Sequence, residues 1–552
     1  MHFSRYLFFI GIFPGIITGV SCNRTHEATN KKILYYNESK GVASLDPAYA
    51  RNQSAIWVVN QIYNGLLQID DSLNIRPCIA YRYTISSEGK EYTFWLRQDV
   101  YFHDSPVFTS GIGRKVTAYD VEYSFRRILD PKVASPGSWI FANVDTSLGN
   151  GGFKAVNDSV FRIYLRSPFP AFAGILTMPY CFIVPHEAID FYGKDFRSHP
   201  VGTGPFFLKR WVEGEKMILL KNHRYFEKDS NNQPLPYLDA VVISFIIDKQ
   251  SEFMQFISGK LDFISGVNPF FKDELLTRQG SLNEKYVGRL NLLKSPYLNM
   301  EYLGMLVDTT LPWVKKSPLA QKTVRQAINM AIDREKLVAY LRNNIGYPAK
   351  AGFVPRGIPS FCDTFPKGYP YLPDSARKLL ACAGYPNGKG LSPITLTTTS
   401  DYADICEYVQ HELSQINIPI EIDVVNGLSY REMLANARLM MFRASWIADY
   451  PDAESFLSLF YSPNFSPAGS NYTHFRNDQF DRLYLQALTT KNTQQRYRLY
   501  RQMDQIIIED APVVPLFYDV AIRFTQKNIV NMRMNPLNLL ILKEVDKTNN
   551  IP

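Results

Sequence analysis

The sequence is poor in the features that mark an enzyme or a metalloprotein. Its six cysteines are scattered and show no CxxC spacing, so neither a zinc site nor a disulfide framework is indicated. Its eight histidines stand apart from one another, and no HExxH, GxSxG elbow or Walker loop occurs. GTGP, at Gly202 to Pro205, lacks the third glycine of a dinucleotide fingerprint, and Pro205 has no backbone N–H to offer a phosphate. GIGRK, at Gly111 to Lys115, lacks the spacing and the Ser/Thr of a phosphate loop. No cofactor, metal or catalytic residue is therefore expected. Lys and Arg number 60 against 52 Asp and Glu, a net charge of +8. These basic residues are dispersed and form no long block, which leaves a nucleic-acid partner unsupported.

Long hydrophobic runs are also missing. The one apolar stretch, YLFFIGIFPGIITGV (Tyr6 to Val20), is too short for a spanning helix and is interrupted by Pro14-Gly15. With Arg5 before it and Ser21-Cys22 after it, residues 1–21 read as an export signal. Cys22 stands where a bacterial lipoprotein signal ends, and there it would become the lipidated first residue. Gly19 departs from that pattern, which usually has an aliphatic residue, and an ordinary cleaved signal is the alternative. Residues 22–32 are polar and suit a tether. The other cysteines, Cys78, Cys181, Cys362, Cys382 and Cys406, are expected to be buried thiols with at most one bridge.

What the chain does have is length and mixed patterning. Its 552 residues exceed one hydrophobic core, so roughly three or four domains are expected. Hydrophobic content of 46% and charged content of 20% are those of a globular protein. VVISFII (Val241 to Ile247) has the character of a strand, and KQSEFMQFISGKL then places Phe253, Phe256 and Ile257 on one helical face. VRQAINMAIDREKLVAYL sets Val324, Ile328, Ala331, Ile332 and Leu341 at helical spacing. DYADICEYVQHELSQI predicts a further helix, ahead of the strand IPIEIDVV. Such strand–helix–strand units predict α/β lobes. Earlier in the chain, YTFWLRQDVYFH alternates as strands do and AYDVEYSFRRIL is helical, forming a mixed region inserted before the elements near residue 240.

Taken in order, several segments resemble one family. SLDPAYARNQSAIWVVNQIYNGLLQID, YTFWLRQDVYFHD with VTAYDVEYSFRRILDP, HPVGTGPFFLKRWVEGEKMILLKNHRYF, VRQAINMAIDREKLV, DSARKLLACAGYP, SWIADYPDAESFLSLFYSP and EDAPVVPLFY follow the family order. The chain is similar, from about Leu34 to Phe524, to the extracellular solute-binding proteins of family 5, the oligopeptide- and dipeptide-binding components of ABC importers. One departure is the loop SPVFTSGIGRKV (Ser105 to Val116), longer than the family's usual link.

The resemblance implies the type II periplasmic-binding-protein fold: α/β, with two hinged lobes and a small extra α/β domain. Lobe I would be built from 33–62, 200–300 and 512–545, the extra domain from 63–199, and lobe II from 301–511. It implies a monomer outside the cytoplasm that captures a peptide and delivers it to an ABC permease, held to the membrane through Cys22. It also implies roles within RASWIADYPDAESF. Asp449 would pair with the peptide's α-ammonium, Ser445 and Ile447 would offer main-chain groups to it, and Trp446 would form part of an aromatic wall. Gly202 and Gly204 would serve backbone geometry where the chain returns between lobes, with a hinge as their second role. Locally, Asp449 and Asp452 are also candidates to cap the helix that begins near Ala453. The same fold with a haem, a nickel chelate or an oligosaccharide in the cleft is the alternative function, and an exported hydrolase a more distant one.

Overall fold

The computed structural model describes residues 31–266, 268 and 271–548; Cys22 and the export segment lie outside the described residues. From Lys32 onward the chain forms one compact unit. Its principal strands are β1 (Ile33–Asn37), β2 (Ala80–Ile85), β3 (Glu91–Leu96), β4 (Phe153–Asn157), β5 (Val160–Tyr164), β6 (Phe206–Val212), β7 (Lys216–Lys221) and β8 (Ala240–Ser244). They continue with β9 (Phe263–Ser265), β10 (Leu290–Met305), β11 (Ile394–Thr398), β12 (Ile420–Val424), β13 (Met441–Ile447) and β14 (Val513–Gln526).

One mixed sheet runs through the unit in the order β12-β11-β13-β10-β14-β9-β1-β8-β7-β6, with Tyr347–Pro348 paired to β14 off this path. Its two longest strands, β10 with 16 residues and β14 with 14, lie antiparallel at the centre. The second half of β10 and nearly all of β14 are buried, as expected of strands covered on both faces. Their register shifts between Pro296 and Met300 and again between Glu301 and Tyr302. Such irregularities bend a strand and re-aim its side chains. The expected boundary at residue 300 falls inside β10, and residue 512 directly precedes β14.

The early region has its own antiparallel sheet, β2-β3-β5-β4. Helix α1 (Ala118–Leu129) lies against it and starts with a capping box in which Asp120 accepts the Thr117 N–H at 2.8 Å. Phe125 on its inner face meets Phe141, Phe153 and Phe161 at ring separations of 5.0, 5.7 and 5.6 Å. These rings belong to one hydrophobic core with Leu34, Tyr36, Val241 and Phe263 of the large sheet.

Two expectations change in detail. The helical pattern over 324–341 is two helices, α2 (Lys322–Met330) and α3 (Arg334–Arg342). Asp333 divides them, because its carboxylate accepts the N–H groups of Glu335 and Lys336 and so starts a new helix. The alternation of YTFWLRQDVYFH gives a strand only as far as Leu96; Tyr101 makes an isolated bridge to Lys115. The five described cysteines are free thiols: Cys78, Cys181 and Cys406 are buried, Cys362 is half-buried and Cys382 exposed.

Candidate functional site

The elements around β13 enclose a cavity of about 200 Å³. Its walls come from segments far apart in the chain: Ala50–Trp57, Thr177–Tyr180, Tyr297, Ile447–Asp449 and Leu537–Leu539. A second cavity of about 420 Å³ adjoins it, sharing Gln53, Trp57, Tyr297 and Asn538. The cleft they form together lies in the range of about 300–1,000 Å³ usual for ligand sites.

The cleft's floor is rigid where Trp57 stands. Its indole N–H donates to the Asn538 carbonyl at 2.8 Å, and the Arg523 guanidinium sits over the ring at 5.0 Å. Tyr297 enters at the register shift of β10, where the strand's bend aims it into both cavities. Tyr180 comes from the Pro179–Cys181 turn. These three rings form the aromatic wall.

β13 supplies the polar side. It pairs with β10 from Met441 to Ile447, whereas on its other side β11 reaches only Met441 and Phe442. Among the described residues, no strand pairs with that edge beyond Phe442. The Ala448 N–H donates to Leu298 at 2.8 Å, on the β10 side. Because backbone direction alternates along a strand, the N–H and C=O groups of Ser445 and Ile447 point the other way, to the open edge. Ile447 lines the cavity and is 47% exposed.

Asp449 follows immediately. Its N–H donates to the Ser455 hydroxyl at 3.2 Å, which fixes the backbone while the side chain faces the cavity. The carboxylate is open to solvent within the cavity, yet protein surrounds it on most sides. Among the described residues, no Lys, Arg or His pairs with it, and burial pushes its pKa up to about 6. It does not cap the following helix. Asp452 does that, accepting the Glu454 N–H at 3.0 Å and lying 3.4 Å from Arg496.

Trp446 lies elsewhere. It points to the opposite face of β13, packs against the core cluster that includes Phe442 and Phe456, and lines neither cavity. Its indole nitrogen is buried without a hydrogen-bond partner. The aromatic wall expected of it is built by Trp57, Tyr180 and Tyr297, which no local pattern singled out. Strand alternation accounts for this, since Ser445 and Ile447 share one face and Trp446 the other.

Gly202 and Gly204 occupy a tight crossing. A Cβ at Gly202 would stand 2.1 Å from the Ile62 carbonyl oxygen, and one at Gly204 2.4 Å from its carbon. The crossing is cross-linked: the Gly204 N–H donates to Ile62 at 2.8 Å, and its carbonyl lies 2.9 Å from His103 Nε2. Beside the cleft a charge network is already satisfied. Arg342 pairs with Asp519 at 2.8 Å, and Arg443 pairs with Glu301 while stacked over Tyr402 at 3.2 Å.

Comparison with known proteins agrees with this architecture. The family profile described as "Bacterial extracellular solute-binding proteins, family 5 Middle" matches residues 74–467. The glutathione-binding protein GsiB of Salmonella typhi is 28% identical over 499 residues, covering 89% of this chain and 90% of GsiB. The periplasmic binding protein DppA of Helicobacter pylori, solved with the peptide STSA, superposes with a TM-score of 0.75 at 25% identity. It covers 93% of this chain and 98% of DppA. HbpA2 of Haemophilus parasuis shares the fold with a TM-score of 0.78 at 22% identity, over 94% of this chain and 100% of HbpA2. With more than half of its length matched and its large mixed α/β sheet shared, the chain belongs to the bacterial extracellular solute-binding proteins of family 5.

Proposed function

We propose that this protein is the substrate-binding component of an ABC importer and that it captures peptides in the cleft, with Asp449 holding the ligand's α-ammonium. The observation that carries the reading is an unpaired carboxylate at the end of a strand edge with free backbone groups. A binder of varied peptides must recognise what they share, namely a charged amine and backbone amides. The open edge at Ser445 and Ile447 adds a strand through main-chain hydrogen bonds, without reading side chains. Asp449 supplies a charge-assisted bond to the amine. Trp57, Tyr180 and Tyr297 give an apolar surface on which different side chains rest.

Ligand joins segments from both halves of the unit, so it favours the state in which they meet. In this reading lobe I comprises 33–62, 200–300 and 512–545, lobe II 301–511, and 63–199 is the inserted domain. β10 runs from lobe I into lobe II, pairs with β14 along its length, and flexes as the lobes close; Gly202 and Gly204 act as a packed crossing. The protein works as a monomer without catalysis, is anchored through Cys22, and hands its ligand to a membrane permease. GsiB and DppA, whose ligands are glutathione and a peptide, support the ligand class.

The test is calorimetry on the purified protein with a tripeptide and its N-acetylated form. Binding of the free-amine peptide and its loss on acetylation are expected. Equal affinity for the two forms refutes the role of Asp449, and recovery of a haem, nickel chelate or sugar by mass spectrometry of the purified protein refutes the peptide assignment.

A further inference from the structure

The cavity that holds Asp449 also holds Arg51. Arg51 lies in the short link between the Pro47–Tyr49 turn and the Gln53–Ile62 helix, held by its own N–H donating to Tyr49 at 2.8 Å and by the Asn52 cap that follows. The other arginines near the cleft are committed: Arg342 to Asp519, Arg443 to Glu301 and Arg496 to Asp452 as ion pairs, and Arg523 to the Asn538 side chain and backbone and the Leu539 carbonyl. The Arg51 guanidinium makes no ion pair or hydrogen bond with any described residue. A carboxylate and a guanidinium thus line one small cavity without pairing with each other.

Tyr180 is near both of them. Burial is the main cause of its raised hydroxyl pKa, with the Asp449 charge raising it further and the Arg51 charge lowering it. The two charges therefore act on one phenol at the cavity wall. This arrangement bears on the ligand. An ammonium held by Asp449 alone would also feel repulsion from Arg51, which weakens the site. A carboxylate a few atoms from the ammonium reverses the sign of that contact and engages the guanidinium's paired donors.

Resting on the peptide reading above, we infer that the preferred ligand carries a carboxylate beside the ammonium at its amino end, with Asp449 taking the ammonium and Arg51 the carboxylate. Two chemistries present this pair: a first residue with an acidic side chain, and a γ-glutamyl linkage that leaves the α-carboxylate free.

The test is titration calorimetry of the full protein, wild type and R51Q, with Glu-Ala-Ala, γ-Glu-Ala-Ala and Met-Ala-Ala, whose first side chain is neutral. Wild type is expected to prefer one or both glutamyl peptides over Met-Ala-Ala by about tenfold, given a partly solvated charge-assisted contact. In R51Q that preference disappears and Met-Ala-Ala binds at least as tightly as to wild type, because the repulsion on its ammonium is gone; which glutamyl peptide wins in wild type identifies the chemistry. Equal affinities in wild type, or a preference that survives in R51Q, overturn the inference and leave the peptide reading intact. Failure of all three to bind wild type overturns the peptide reading itself, and this inference with it.

Discussion

Replacing Asp449 with Asn keeps the side chain's shape and removes its charge. A hydrogen bond to a charged group contributes about 1.5–3 kcal/mol, and breaking a buried ion pair costs about 3–5 kcal/mol. Because solvent reaches Asp449 in the empty cavity, the upper range needs discounting, and a loss of about 2–3 kcal/mol follows. This corresponds to roughly 30- to 150-fold in Kd. The pH dependence gives a second and independent reading. The carboxylate is held by burial at a pKa of about 6 in the empty protein, and a bound ammonium favours its charged form. Binding therefore requires the proton to leave, and affinity should fall by about tenfold between pH 7 and pH 5. The peptide amine stays protonated throughout, with a pKa of about 8, so the slope belongs to the protein. Titration calorimetry at both pH values, on wild type and D449N, measures both effects. Unchanged affinity in D449N, or the same pH slope in both proteins, refutes the argument.

Gly204→Ala forces a Cβ to within 2.4 Å of the Ile62 backbone; destabilisation of about 1–3 kcal/mol is expected in thermal melts. Arg443→Met strands Glu301, whose side chain is 7% exposed, and should lower stability to urea by about 3–5 kcal/mol, with Glu301→Gln in the same chain restoring much of it. Asp504 is buried, accepts the Phe353 and Val354 N–H groups, and has its pKa raised to about 7 by desolvation. Its folded pKa exceeds its unfolded one, so its contribution is full below about pH 4 and is lost as pH rises through about 7. Asp504→Asn should flatten the fall in stability between those pH values, as followed by denaturant melts.

Much of the fold was legible because its signals are local. AYDVEYSFRRIL, capped by Thr117 directly before it, carries an apolar stripe and forms a helix over those residues. Asp333 shows the limit: spacing joined α2 and α3, but a side chain that competes for backbone N–H groups divides them. At the site, Ser445, Ile447 and Asp449 share one short segment; Ile447 and Asp449 line the cavity, and Ser445 lies on the same strand edge without lining it. The aromatic wall could not be foreseen, since Trp57, Tyr180 and Tyr297 meet only through tertiary packing. Trp446, the residue that invited the assignment, faces away by simple alternation. Arg51 had no local signal at all; its interest arises from what it fails to touch.

The central strands set how this protein can be divided. A cut near residue 297 would leave two fragments, each exposing raw ladder edges and the apolar surface that its missing mate covered. Such pieces would be prone to clump, since an unprotected strand edge recruits other chains. The region with its private four-stranded sheet is different, because no strand of the large sheet pairs with it. Anyone wishing to graft a reporter should therefore leave the long shared ribbon uncut.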